Sequence, residues 1–481
     1  MAVNCTSKIP RLVIAGMAGD SGKSIVSLAL LRALRGSATR NPGEAEVRAF
    51  KKGPDYIDAA WLTFVSGAPA RNLDTWLMGF DGAVQSFAAN ATRNGFNLVE
   101  GNRGLFDGVD ASGTHSTAEL AKALRAPVLL VLNVTKMTRT SAALVMGCQH
   151  LDPDLRIAGV ILNCVASKRH EKVVREAIEK ACDIPVLGAI PKLRSEALPQ
   201  RHLGLVTPED HPGVAQLSAV LDEIAAHLDL ARIREIAAEV DALPSAQRSC
   251  PALANVTESA VRIAVIRDAA FSFYYEDNLE ALRQAGAELE FVSALRDSAL
   301  PRDIDAVYVG GGFPEVHAAA LEANSAFRLA LAQAVAGGLP VYAECGGLML
   351  LARAIRWDGK RHAMANVLPF EVEVGSAPQG HGYVEMTVDR ENPFYPVGTV
   401  LRGHEFHYSR VAVASEAPQT ACAVQRGTGV RDKRDGVIAN NVWASYTHVH
   451  AKGTPEWATA VVGLARRHRT RQAARMVELA G

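Results

Sequence analysis

The sequence has no excess of either charge: in 481 residues, Lys plus Arg and Asp plus Glu each number 51. Without a field of one sign, nothing draws such a chain to a polyanion, so nucleic acid is not expected as a partner. It has no apolar run of the ~18 residues that a bilayer-spanning helix requires, so no membrane association is expected either. The first apolar run, Leu12 to Ala15, leads into glycines rather than a signal-cleavage region, which points to a cytoplasmic protein. The seven cysteines (Cys5, Cys148, Cys164, Cys182, Cys250, Cys345 and Cys422) form no CxxC pair and no short Cys/His cluster. That scatter argues against a disulfide framework and a zinc site, and leaves an odd thiol for chemistry.

What the chain does have is length, and one pattern played twice. A single ordinary core takes roughly 100 to 200 residues, so at least two domains are expected. Short apolar runs at Arg11 to Ala15, Asn97 to Glu100, Ala126 to Asn133 and Ile157 to Asn163 alternate with helical segments at Ser24 to Arg35, Ser141 to Gln149 and Glu171 to Cys182. This alternation predicts an α/β fold, a mostly parallel sheet covered by helices. A second series starts at Val261 to Ile266 and runs through Glu276 to Ala285, Ala306 to Val309, Phe327 to Ala336 and Val341 to Tyr342. Between the two series, Asp241 to Glu258 holds two prolines and little periodicity, and reads as a linker. The expected domains are 1–245 and 261–452, with a linker at 246–260 and a helical tail at 453–481. The tail's basic run, Ala465 to Met476, reads as a solvated helix face.

After the first strand comes Gly16-Met-Ala-Gly19-Asp20-Ser-Gly22-Lys23-Ser24, directly followed by a helical pattern. Strand, glycine-rich loop and helix start are what a P-loop needs. Backbone N–H groups cradle phosphates, Lys23 reaches the terminal ones, and the Ser24 hydroxyl ligates magnesium. Five residues separate Gly16 from Gly22, one more than the strict motif. Two nearby segments supply acids: Asp55 and Asp58 in Gly53-Pro-Asp-Tyr-Ile-Asp, and Glu100 at the end of a strand. One surface carboxylate is usually only solubilising. Beside a P-loop, however, Ser24, Asp55 and Glu100 form an oxygen donor set for magnesium.

In the second series Cys345 follows a short apolar strand and precedes Gly346-Gly-Leu-Met. A strand, a nucleophile flanked by small residues and a helix make a nucleophile elbow. The helix start lowers the thiol pKa, and the following backbone N–H of Gly346 can stabilise an oxyanion. Gly310-Gly311-Gly312 after another strand offers a second donor, from Gly311 or Gly312. Four histidines are candidate bases: His404, His407, His448 and His450. His448, at the end of a strand-like stretch late in the domain, is favoured, with His450 next.

Taken in order, the segments GPDYID, RNLDTW, VEGNRGLFDG, STAELAK, DAAFSFYYEDNLE, GGGFPE, AECGGLM and LRGHEFHYS resemble the cobyrinic acid a,c-diamide synthase family. The resemblance runs from about Arg11 to His450. It implies an N-terminal domain similar to dethiobiotin synthetase joined to a triad-type glutamine amidotransferase. The implied activity converts two acetate carboxylates of a tetrapyrrole, a and c, to amides through acyl phosphates, using ATP, magnesium and glutamine. By motif, Cys345 would be the nucleophile and His448 its partner. Gly19, Gly22, Lys23 and Ser24 would meet the phosphates, while Asp55, Asp58, Glu100 and Asp107 would surround ATP and the substrate carboxylate. Asp20 departs from the family, where glycine is common. The stretch from Gly375 to Glu385 and the segment from Gly427 to Ala451 look more like relatives that amidate sirohydrochlorin, nickel-sirohydrochlorin or sirohaem, which is the alternative substrate set. A reading of another class is a P-loop switch ATPase. Partitioning switches carry a second lysine five residues before the P-loop lysine, where this chain has Ala18. Assembly as a homodimer is left open.

Overall fold

The computed structural model describes residues 8–35, 46–193, 200–201, 204–205, 207–211, 213–243, 260–414 and 417–480. The expected linker therefore lies almost entirely outside the described residues. The chain divides into two compact units, Met1–Ser249 and Cys250–Gly481.

In the first unit the apolar runs become strands buried on both faces: β1 (Arg11–Gly16), β2 (Val47–Lys52), β3 (Arg71–Leu73), β4 (Phe96–Glu100), β5 (Val128–Asn133), β6 (Ile157–Val165) and β7 (Val186–Pro191). Helices connect them: α1 (Lys23–Arg35), α2 (Tyr56–Ser66), α3 (Thr75–Asn90), α4 (Thr117–Ala123), α5 (Thr140–Leu151) and α6 (Lys168–Cys182). The strands are parallel throughout, in the order β3-β2-β4-β1-β5-β6-β7. Parallel pairing forces each connection to cross a face of the sheet, which is why the strands read as unbroken Val/Leu/Ile rather than as alternation. Short side chains start the helices: Asp55, Asp74, Ser116 and Ser167 each accept a first-turn N–H. A two-residue ladder of β8 (Gln200–Arg201) with β9 (Gly204–Leu205), then α7 (Val214–Ala225) and α8 (Leu230–Ala238), complete the unit.

The second unit opens in the same way with β10 (Val261–Ile266), α9 (Glu276–Gln284), β11 (Ala287–Val292), β12 (Ala306–Val309), α10 (Ala318–Ala323), α11 (Ser325–Ala336), β13 (Val341–Glu344) and α12 (Gly346–Leu351). It then turns largely to strands: β14 (Ala354–Trp357), β15 (Lys360–Ala363), β16 (Phe370–Val374), β17 (Gly380–Val388), β18 (Val400–His407), β19 (Ser409–Ala414), β20 (Thr420–Arg426), β21 (Arg434–Ala439), β22 (Val442–Ser445) and β23 (His448–Val449). Ten strands form one sheet, in the order β11-β10-β12-β13-β22-β21-β20-β17-β18-β23. Its first five strands pair in parallel and its remaining pairs are antiparallel. A separate sheet runs β15-β14-β16-β19.

The terminal helix α13 (Glu456–Ala480) begins with Trp457, Val461, Val462 and Leu464, all buried, and packs on α9, β10 and β12. The segment expected as a tail is therefore core-forming in its first turns.

Candidate functional site

Strand order decides where ligands reach the first unit. The chain leaves β1 toward β2 on one side, and leaves β4 toward β5 on the other. The carboxyl ends of β1 and β4 consequently flank a crevice at the switch point, where open α/β sheets bind ligands. Gly16–Ser24 lies at the end of β1, and Glu100 ends β4 in register with Ile14. The loop after β4 is laced to it, with Leu105 N–H donating to Gly16 O at 2.8 Å.

Lys23 is buried, and its Nζ donates to Ala18 O at 2.8 Å, across the loop it closes. Ser24 Oγ donates to Glu100 Oε1 at 2.9 Å and lies 3.5 Å from Asp58 Oδ1. Gly19 is exposed at the loop's tip, and Gly22 turns the chain at φ 94°. Asp20 sits at φ 52°, in the left-handed region that Asp tolerates better than most residues do. Glycine would adopt that conformation without strain. Asp55 stands one step back from Ser24. Its Oδ1 accepts Asp58 N–H at 2.8 Å and caps α2. Asp107 is exposed, with its Oδ2 accepting Gly104 N–H at 2.8 Å.

Sequence reasoning missed Lys51. Its Nζ donates to Asp58 Oδ2 at 2.5 Å, Glu100 Oε1 at 2.9 Å and Gly101 O at 3.1 Å, so it ties both acids together. The available signal was a pair of lysines closing a strand at the carboxyl edge of the sheet, just before the Gly-Pro-Asp turn. Burial opposes the Lys51 charge, but Asp58 and Glu100 outweigh it and hold the ammonium protonated. Burial, with Asp58 beside it, pushes Asp55 up to about 7. Burial also raises Glu100 against the pull of Lys51, and lowers Lys23 with help from Lys51.

Magnesium fits this chemistry. Glu100 Oε2 is a buried acceptor with no hydrogen-bond partner among the described residues. The other oxygen of the same carboxylate accepts from Ser24 Oγ, which also lies 3.5 Å from Asp58 Oδ1. Among the described residues no three Asp, Glu, His or Cys side chains form a complete metal cage. An ion that keeps waters and phosphates as most of its ligands does not need one.

In the second unit β13 ends at Glu344, and Cys345 stands between it and α12 at φ 48°, ψ −99°. Such a backbone is strained for a residue with a Cβ and is over-determined by its neighbours. Cys345 N–H donates to Ser445 O at 2.7 Å. Gly347 packs so tightly that an added Cβ would come 2.5 Å from Val309 O. The thiol is buried, and burial first, then Glu315, pushes its pKa up, which outweighs the lowering expected from the helix start. It therefore needs a base.

The glycine loop after β12 meets the ring of the favoured candidate, His448. A Cβ on Gly311 would meet His448 Cε1 at 2.5 Å and Nε2 at 3.1 Å, and a Cβ on Gly346 would lie 3.1 Å from Gly312 N. Gly311 and Gly312 thus separate the His448 ring from the residue that follows Cys345. The other histidines go elsewhere. His450 is fully buried against Tyr275 and 3.9 Å from Asp277. His407 stacks on Tyr446, with ring centroids 3.7 Å apart. His404 opposes His448 across the β18–β23 ladder.

A strained thiol among glycines on one α/β sheet, and a phosphate-binding crevice on another, define a glutamine amidotransferase joined to a nucleotide-binding domain. The CobB/CobQ-like glutamine amidotransferase domain matches residues 262–456, and an AAA domain matches residues 71–198. Over nearly the whole chain, the cobyrinate a,c-diamide synthase of Magnetococcus marinus is 43% identical, covering 94% of this chain and 96% of that protein. Those of Syntrophotalea carbinolica and Dehalococcoides mccartyi are 42% and 40% identical, covering 95% and 93% of this chain and 99% and 96% of their own. The chain belongs to the cobyrinate a,c-diamide synthase family.

Proposed function

We propose that the chain amidates the a and c carboxylates of cobyrinate, using glutamine as nitrogen donor and ATP to activate each carboxylate, with magnesium at the phosphates. The observation that carries this reading is end-to-end similarity to cobyrinate a,c-diamide synthases at 40% identity and above. A P-loop switch would leave Cys345 without a purpose. Amidation of sirohydrochlorin-type rings would give up the name shared by these relatives.

A carboxylate is a poor acyl donor because oxide is a poor leaving group, so it is first converted to an acyl phosphate, from which ammonia displaces inorganic phosphate to leave the amide. Lys23 and Lys51 place positive charge where the transferring phosphate develops negative charge, and Asp58 and Glu100 hold Lys51 there. When bound, magnesium would screen the phosphate oxygens from the Ser24, Asp58 and Glu100 side. In the second unit His448 takes the Cys345 proton, and the thiolate attacks the glutamine amide. The N–H groups of Gly346 and of Gly311 or Gly312 receive the oxyanion, and neutral ammonia is released for the displacement.

The test is a pair of variants assayed with both nitrogen donors, with product masses followed on cobyrinate, hydrogenobyrinate, sirohydrochlorin, its nickel complex and sirohaem. Cys345→Ala should abolish amidation from glutamine and keep amidation from ammonia. Lys23→Ala should abolish both. Equal loss from both donors in Cys345→Ala, or amidation of sirohydrochlorin in preference to cobyrinate, would overturn the reading.

A further inference from the structure

Glu344 immediately precedes the nucleophile and is 1% exposed. Its Oε1 accepts Val449 N–H at 3.0 Å, and its Oε2 accepts the Tyr308 hydroxyl at 3.0 Å. The same Oε2 lies 3.7 Å from Nδ1 of His448. Burying a carboxylate is costly unless partners meet it, and here two of them are neutral donors. The third is the His448 imidazole, which can itself take up a proton. At 3.7 Å the contact is too long for a hydrogen bond. It is close enough for strong charge attraction once the ring is protonated in a water-poor interior.

We propose that Glu344 is the positioning residue for the base of the glutamine-hydrolysing site, an inference that rests on His448 being that base. Through Val449 N–H it anchors β23, the strand that carries His448. Through Oε2 it turns Nδ1 inward, which leaves Nε2 on the side of Gly311 and the loop facing Gly346. The Cys345 proton moves to Nε2 as Sγ bonds to the amide carbon, and Glu344 stabilises the resulting imidazolium. The proton then passes to the amide nitrogen, the C–N bond breaks, and ammonia leaves. Water hydrolyses the thioester, returning glutamate and the thiol. Stabilisation that appears only when the ring is charged raises kcat rather than tightening glutamine binding. Such an acid is invisible to a motif search because it neighbours Cys345 in sequence but acts on a residue 104 positions later.

The full-length chain tests this through glutamate release and through the rate at which a diazoketone glutamine analogue alkylates Cys345. Glu344→Gln keeps the size of the side chain and removes its charge. It should lower kcat and the alkylation rate roughly 100-fold, within the range for losing one acid–base component. The KM for glutamine and the melting temperature should stay near the parent values, and Glu344→Asp should recover part of the loss. If Glu344→Gln stays within about threefold of the parent while His448→Ala is dead, the role of Glu344 is refuted and that of His448 stands. A fall in melting temperature with a raised KM and no recovery by Asp would show a structural role and equally refute it. Retained turnover in His448→Ala would instead remove the base on which the inference rests.

Discussion

A single methyl group decides the spacing around Gly311. Its Cβ would stand 2.5 Å from His448 Cε1, on a loop held to Phe273 by the Phe273 N–H donating to Gly311 O at 3.0 Å, so the added methyl displaces the loop or the ring. Gly311→Ala should cut glutamine-supported amidation at least tenfold, by the leverage that small misplacements have on catalysis, and spare the ammonia-supported reaction; initial rates with each donor check it. In the other unit Asp55, pushed up to about 7, carries a pH signature. Below the unfolded value near 4, both folded and unfolded chains hold the proton. Between there and about 7 only the folded chain does, so this residue's contribution to stability is lost as pH rises through that window. Asp55→Asn keeps a good cap for α2 and should flatten the decline in urea midpoint from pH 5 to 8. At this scale the Cys345 elbow and Gly22-Lys23-Ser24 were legible because flanking glycines betray an unusual backbone. Lys51 and Glu344 were not, since each looks like an ordinary strand residue until the sheet brings its partners from 49 and 104 positions away.

Helices and strands differ in how much of them can be read. Parallel strands buried on both faces announce themselves as apolar runs, and β1, β4, β5, β6, β10, β12 and β13 fall where those runs predict. The stretch from β14 to β21 does not announce itself, because its strands alternate buried and exposed residues, include Gly and charged positions, and pair across distant sequence, as β17 does with β20. Capping emerges only in the structure: Asp74, in the segment Arg71 to Trp76, is fully buried and accepts the N–H groups of Trp76 and Leu77 at 2.9 Å each. Asp74→Ala should cost about 1 to 2 kcal/mol, read as a lowered denaturant midpoint. The basic character of α13 concealed its apolar first turns. Trp457 is fully buried against Tyr308 and Tyr342, with ring centroids 5.3 and 5.7 Å away. Trp457→Ala should destabilise the second unit by about 3 to 5 kcal/mol, whereas Arg471→Ala on the exposed part of the helix should leave its melting temperature within about 1 °C. Equal tolerance of both changes would mean that α13 is a solvated appendage after all.

Over the whole molecule, two separate cores serve two chemistries. One core gathers Val13, Phe50, Val99, Leu130 and Leu162 around the first sheet. The second sheet is covered on one side by a cluster that includes Ile266, Val309, Leu331 and Leu348, and on the other by one that includes Tyr308, Tyr342, Trp443 and Trp457. Each unit is large enough to bury its own apolar surface, and chains with more than one core commonly unfold in more than one step. Ligands then become labels for the steps, because a molecule that binds only one folded unit stabilises that unit alone. At 100 times its Kd such a ligand adds about 2.7 kcal/mol. In calorimetry, magnesium with a non-hydrolysable ATP analogue should raise one transition and leave the other in place. Alkylation of Cys345 by a glutamine analogue should do the reverse. Lys23→Ala should erase the first shift without touching the second. A single transition moved alike by both ligands would show instead that the two cores melt as one cooperative body, and that neither chemistry can be perturbed in isolation from the other.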